Sequence, residues 1–431
     1  MMRKGVEEFL LKYGMHYKTI DIDKHRLDFE RQMKAGLVGC ESSLLMIPAY
    51  ISIKDNLPDE EEVIVIDAGG TNLRVGSVRI KSGDLTITNY NKYPMPGRES
   101  AITKDEFFNQ LVDYLEPVIG LSNKIGFCFS YPVLVQSNYD GKVLSLAKEI
   151  RIEGIEGCVL GESLNQALRY RGIKEKRIVV LDDTVATLLG GISSNDKTYE
   201  SYIGYILGTG TNAAYMEKCT NIIKSIEIAA KSGQMAVNVE SGNYDGFDQG
   251  MFDAEIDNES NEPGKFKLEK MISGAYQGKG IFRTVRGAVK EGLFSEAMEE
   301  RFSKFEDFKL EDISAFCANT GGENVLSNLT DTTQDKEILL EIIDASYQRS
   351  ALITATVFGA ILNHCGYGRD ASRPVCITAE GSLFSKSVLF RPKLDQYMKD
   401  YIQDQLGHYC EIIFVEDSPL RGAGIAALMM E

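Results

Sequence analysis

The chain is poor in the arrangements that build metal or redox centres. Its eight cysteines stand singly, at positions 40, 128, 158, 219, 317, 365, 376 and 410. Without a Cys-x-x-Cys pair neither a zinc site nor a redox motif is indicated, and reduced thiols are the natural reading. The four histidines show no metal-ligand spacing, so no transition-metal site is expected. Positive charge is also short: 47 Lys and Arg stand against 63 Asp and Glu, a net charge of −16. That balance argues against nucleic acid or an anionic membrane as an unaided partner. A small anionic ligand, which responds to local charge only, is left open. No apolar run approaches the ~20 residues of a membrane span. Residues 1–8 lack the uninterrupted apolar region of a secretory signal, and a cytoplasmic location is expected. No low-complexity segment and no internal sequence repeat is visible. A Walker-type Gly-x4-Gly-Lys-Ser/Thr element is missing, which excludes a P-loop. Nor does a dinucleotide fingerprint open a helix after a first strand.

What is present is a chain of 431 residues, long enough for two or three domains with ample core. Residues 1–50 read as helical and charged, for example 26–37. A polar link at 54–62 containing Pro58 marks a plausible boundary. Strands are expected at 63–67, 73–80 and 84–90. A helix then starts near Thr103, where Glu106 completes a capping box and Phe107, Leu111 and Leu115 line one face. Further strands are expected at 124–129, 177–182, 202–208, 213–217, 374–378 and 411–416. Helices are expected at 161–171, 184–192, 265–291, 335–364, 387–405 and 422–430. Hairpins mixed with strand–helix units indicate an α/β protein.

Two glycine turns carry the chemistry. In Ile66-Asp-Ala-Gly-Gly-Thr-Asn-Leu-Arg74 an apolar strand ends in a carboxylate and a two-glycine turn. Glycine allows the backbone to bring consecutive N–H groups close to an anion. A carboxylate beside such a turn disfavours bare phosphate, so Asp67 points to a bridging cation such as Mg2+. Read alone, the segment is equally well a hairpin. Leu207-Gly-Thr-Gly-Thr-Asn212 is a second turn of the same kind, and Ala379-Glu-Gly-Ser-Leu383 a third glycine cluster. Asp182-Asp183-Thr184 sits where a buried strand meets a helix, a place that suits catalytic groups in α/β sheets. Any of the three residues serves equally well there as an N-cap.

Several motifs in order resemble those of the eukaryotic-type hexokinases. They are Gly39–Tyr50, Ile66–Arg74, Gly126-Phe-Cys-Phe-Ser-Tyr-Pro132, Leu181–Leu188 and Ile206–Ala213. Met235-Ala-Val-Asn-Val-Glu-Ser-Gly242, Pro263-Gly264 with Leu268–Gly274, and Ala379–Leu383 complete the series. The resemblance covers about residues 35–430 and matches a single unit of that family. It implies a two-lobed, actin-like ATPase (ribonuclease H-like) fold with a ligand cleft between a small and a large lobe. Residues 1–60 and 181–417 are then expected in the large lobe. Residues 61–180, with the C-terminal helix 418–431, form the small one. The implied activity is transfer of phosphate from ATP, with Mg2+, to the 6-hydroxyl of a hexose, glucose first.

Residue by residue, Asp183 matches the general base and Lys148 a catalytic position near the transferred phosphate. Ser130, Lys148, Asp182, Asp183, Asn212, Glu240 and Glu269 match sugar-contacting positions. Asp67, Gly69, Gly70, Thr71, Asn72 and Arg74 match the first phosphate motif, with Asp67 facing Mg2+ through water. Gly208, Thr209 and Gly210 match the second, and Gly274, Gly381 and Ser382 the nucleotide side. By ordinary expectation Glu240, Glu269 and Lys148 would be solvated surface charges; only the family pattern raises them above that.

The chain also departs from the pattern. Asp182 stands where asparagine is usual, Ala147 where threonine is, Ser241 where an aromatic residue is common and Glu380 where aspartate is. Pro419 and Leu420 interrupt the usual Gly-Ser-Gly element. An ionised aspartate only accepts hydrogen bonds, and a second carboxylate beside the base raises one of the two pKa values. A hexose kinase with altered sugar preference or nucleotide affinity is therefore expected. The alternatives are a kinase for another hexose or an amino sugar, a non-catalytic sugar sensor of the same fold, and an actin- or chaperone-like ATPase. The retained Asp183 disfavours the sensor and the sugar motifs disfavour the ATPase.

Overall fold

The computed structural model describes residues 2–53, 57–82, 84–146, 150–193 and 197–430. Its backbone is organised by two sheets of matching design. In the first, the antiparallel strands Glu62–Ala68, Asn72–Lys81 and Asp84–Pro94 are extended on the Glu62–Ala68 side by Lys124–Phe129 and Arg177–Leu181, both parallel to it. In the second, Ser201–Leu207, Thr211–Lys218 and Gln234–Asn238 form the antiparallel part. Val375–Glu380 and Cys410–Ile413 then add in parallel beside Ser201–Leu207. Numbered within each half, both sheets run 3-2-1-4-5. A two-residue edge strand, Ile47–Pro48, pairs with Gln234–Asn238 and lengthens the second sheet.

Each half continues from its fifth strand into a helix, Asp183–Ile192 in one and Ser418–Met429 in the other. The two helices lie side by side between the sheets, and each packs on the sheet of the other half. The apolar pattern explains this. In Glu62–Ala68, Ile64 and Ile66 face the outer core of the first sheet while Val63 and Val65 face the layer between the sheets. Both faces are buried, so the strand reads as a continuous apolar run. The central layer joins Val185, Ala186, Leu188 and Leu189 of one helix to Leu420, Ala423 and Ile425 of the other. Small residues set their approach: a Cβ on Gly422 would lie 1.8 Å from the Ala186 carbonyl oxygen, and one on Gly126 1.9 Å from that of Ala423.

The N-terminal helices Lys4–Lys12 and Ile22–Val38 share a core with the second sheet and with the 33-residue helix Thr333–Cys365. The capping box at Thr103 and Glu106 is present, and Phe107, Leu111 and Leu115 are buried beneath it. The continuous helix expected at 265–291 is instead two, Lys267–Ile272 and Gly274–Lys290. Ser273 takes an extended conformation at the break. Gly274 N–H there donates to the Gly208 carbonyl at 2.7 Å, and a Cβ at 274 would meet that oxygen at 2.6 Å. The turn at 208 thus draws the chain out of its helix. The helix expected at 387–405 is α-helical only over Phe390–Tyr397; Met398–Gln405 is wound as a π-helix.

Candidate active site

The parallel strands of each sheet end at one edge, where their following residues gather. On the first sheet these are Asp67 at the end of Glu62–Ala68, Ser130 after Lys124–Phe129, and Asp182 and Asp183 after Arg177–Leu181. On the second they are the turn 208–210, Glu380 with Gly381, and Asp417. Ligands of open α/β sheets collect outside such carboxyl ends.

Of the adjacent aspartates, Asp182 is the N-cap. Its Oδ1 accepts from Thr184 N at 2.8 Å and Val185 N at 3.3 Å. That leaves Asp183, the first helical residue, with a carboxylate that is not used to cap. Its Oδ1 accepts from the Thr184 hydroxyl at 3.2 Å, and burial, then Asp182 and Glu380, push its pKa well above the ordinary carboxylate range against the nearby Ser130 hydroxyl. Asp182 rises to about 7, from burial and then the Glu240 charge, against the two backbone hydrogen bonds. Two carboxylates this close titrate as a coupled pair.

The remaining polar positions come from the second half. Glu240 sits in the left-handed region at φ 57°, held by Asn238, whose Nδ2 donates to Glu240 Oε1 at 2.9 Å and whose Oδ1 accepts from Glu240 N at 3.1 Å. Asn212 Nδ2 donates to the same Asn238 Oδ1 at 2.8 Å, while its own Oδ1 accepts from Ser241 N at 3.1 Å. Burial and the neighbouring Asp183 and Glu269 charges outweigh the Asn238 bond and carry Glu240 to about 7. Glu269 Oε2 accepts from Thr211 N at 3.1 Å. Burial raises its pKa. Asp182, Asp183, Glu240, Glu269 and Asn212 are therefore one connected group, linked by charge and hydrogen bonds. Lys148 and its neighbour Ala147 lie outside the described residues.

Around the second turn four glycines converge. Gly208 N–H donates to the Gly210 carbonyl, and Gly274 and Ala275 donate to the carbonyls of Gly208 and Thr209. Gly381, at φ 117°, lies so close that a Cβ there would sit 2.2 Å from the Leu207 carbonyl oxygen. Ser382 opens the short helix that follows and is exposed. In the first turn Gly69 N–H donates to the Asn72 carbonyl at 3.0 Å, and Met95 N–H to that of Thr71. A Cβ on Gly70 would meet nothing within 4 Å, so this turn borders open space.

Arg74 connects the halves. Its guanidinium lies 2.6 Å from Asp67 Oδ2 and donates to Asp417 Oδ1 at 2.9 Å. Asp67 Oδ2 is buried and, despite that charge contact, has no hydrogen bond of good geometry. Burial raises the Asp67 pKa in spite of Arg74. Among the described residues no three His, Cys, Asp or Glu side chains form a protein-only metal site. The orphaned Oδ2 fits a water of a Mg2+ ion carried by phosphate oxygens, the habit of that ion.

Three further residues hold the site together. Asn238, within the motif Met235–Gly242, holds both Asn212 and Glu240. Asp417, at φ 52°, follows the fifth strand of its half much as Asp182 does in the other, which is its signal in the sequence. Glu380 accepts from Ser418 Oγ at 2.6 Å and Thr187 Oγ1 at 3.5 Å, joining both central helices. A separate cavity of about 950 Å³ lies between the lobes, lined by Ile80, Ile192, Tyr199, Tyr202, Gln234 and Arg373 among others, and none of the site carboxylates borders it.

Two family models, both described as hexokinase, match residues 9–192 and 202–429. Rat hexokinase-3 is 29% identical over 98% of this chain, which spans only 46% of that protein. Spinach hexokinase-1 is 28% identical over 93% of the chain and 84% of its own length. Among solved structures, a Schistosoma mansoni hexokinase complexed with glucose superposes with a TM-score of 0.75 at 22% identity, over 99% of this chain and 100% of that one. A Streptomyces griseus glucokinase of the ROK family, complexed with glucose and AMPPNP, gives 0.52 at 13% identity, over 85% and 99%. At these identities the structural likeness establishes the two-lobed fold alone.

Proposed function

The chain belongs to the hexokinase family, and on that premise we propose that it is a hexokinase, transferring the terminal phosphoryl group of ATP to the 6-hydroxyl of a hexose. The observation that carries the reading is the division of labour at Asp182-Asp183. One carboxylate caps the helix, and the other, which accepts from the adjacent Thr184 hydroxyl, is left at the strand edge between two glycine turns. Asp183 accepts the hydroxyl proton as the sugar oxygen attacks phosphorus in line and ADP leaves. Burial and the neighbouring carboxylates raise its affinity for a proton, which suits a general base. Asn212, Glu240 and Glu269 satisfy the sugar hydroxyls with directional hydrogen bonds. The backbone donors of the two turns orient the phosphates, since phosphoryl transfer is mainly positioning and charge stabilisation. Lys148 is assigned to the same charge on sequence grounds. Asp67 would hold Mg2+ through water; the ion, when bound, supplies charge neutralisation at the phosphate oxygens. Closure of the lobes over the sugar keeps water out as a competing acceptor.

Glucose is the first candidate, because a glucose complex exists for a protein of this fold. Asp182 and Ala147, in place of the usual asparagine and threonine, support a shifted sugar preference. Coupled assays with ATP and glucose, mannose, fructose or glucosamine test the proposal. Product from at least one of them supports it, and failure to form ATP-dependent product with all four rejects it.

A further inference from the structure

Glu269 is borne by a helix of only six residues, Lys267–Ile272, too short to hold its own shape. What anchors it is the next residue. Lys270 is buried, with 2% of its side chain exposed, and is paired with Asp257, 7% exposed, at 2.6 Å. The same ammonium donates to the Glu262 carbonyl at 2.7 Å. Asp257 closes the arrangement by accepting from Gly264 N–H at 3.0 and 3.2 Å. Between these points the chain turns through Gly264 at φ 83° and Phe266 at φ 52°, both in the left-handed region. On the opposite side Leu268 N–H donates to the Tyr244 carbonyl.

We infer that the buried Lys270–Asp257 pair is a positioning device for Glu269, fixing the short helix so that its carboxylate meets Thr211 N–H and faces the sugar. The inference rests on the sugar-kinase reading above. Stability alone does not account for such a pair, because replacing a buried ion pair by apolar side chains is often neutral or stabilising. The fit at the other end is tight: a Cβ on Gly210 would lie 2.6 Å from Glu269 Oε2, and one on Gly242 3.3 Å from Glu269 Cβ. A small tilt of the helix therefore moves the carboxylate off its donor. The Lys270 charge acts in the same direction, opposing the rise that burial imposes on the Glu269 pKa.

The test measures glucose affinity by titration calorimetry, together with kcat and both KM values, in Lys270→Met and in Asp257→Leu/Lys270→Met. Positioning errors of this kind cost about tenfold or more, so both variants should lose about that factor in glucose Kd and KM, with the KM for ATP within about twofold. The double variant should recover the thermal midpoint that the single one loses, because it leaves no unpaired buried charge, yet recover no sugar affinity. If the single variant does not fold, the double one carries the test. A folded variant with unchanged glucose affinity overturns the inference and leaves the kinase reading intact. A wild-type chain that neither binds nor phosphorylates any of the four sugars overturns both.

Discussion

At the scale of single residues, the site is a contest between burial and charge. Asp182, Asp183, Glu240 and Glu269 all have raised pKa values, and burial is the first cause in each. A carboxylate whose folded pKa lies above its unfolded value binds protons better when folded. For Asp182 and Glu240 the stability contribution is then greatest below about pH 4 and falls as pH rises to about 7. On the proposed mechanism activity runs the other way, since Asp183 would act as a base only when ionised. Asp182→Asn should keep the N-cap, asparagine being an equal cap, while it removes one interacting charge. The expected result is a higher thermal midpoint at pH 8 with little change at pH 5, and an acidic limb of kcat/KM displaced to lower pH. An unchanged limb would show that Asp182 does not act on the base. Asp182 and Glu240 rise to about 7, so the charge facing Asp183 changes across the neutral range.

At the scale of elements, glycines decide where chains touch. Gly126→Ala would drive a methyl group into the Ala423 carbonyl, 1.9 Å away, and push the C-terminal helix off the first sheet. Overpacking of this kind costs about 1–3 kcal/mol or more, read as a lower thermal midpoint. Gly381→Ala combines a forbidden φ of 117° with a 2.2 Å clash against Leu207. Its effect should fall on the nucleotide: the KM for ATP rises by about tenfold while glucose binding measured without nucleotide is retained. A loss of sugar binding instead would place Gly381 outside the nucleotide side. Elements with strong local signals were legible in the sequence, such as the capping box at Thr103 and the apolar run of 63–66. The break at Ser273 was not, because the apolar period continues through it and its cause is the distant turn at Gly208. The role of Asn238 was hidden for a related reason: an asparagine at the end of a buried strand has no local signature of the two side chains it holds.

At the scale of the molecule, the two glycine turns are the same device used twice. Each joins the first and second strands of a sheet ordered 3-2-1-4-5, and each half then sends a helix from its fifth strand into the layer between the sheets. The sequence carries no visible repeat, since only the path of the chain, not its side chains, is shared. The order of the turns and the strand-end carboxylates was nonetheless readable. Their meeting across the two halves needed the fold. Two lobes joined through packed helices are expected to rotate on sugar binding, so glucose should lower the radius of gyration in X-ray scattering, whereas ATP without sugar should not. The most direct measurement of the whole account is glucose 6-phosphate formation from ATP by wild type and Asp183→Ala, with glucose binding followed by calorimetry on both. The account predicts turnover by the wild type, a loss of at least about 10²-fold in Asp183→Ala and glucose binding by both proteins. Near-wild-type turnover without the Asp183 carboxylate would contradict it.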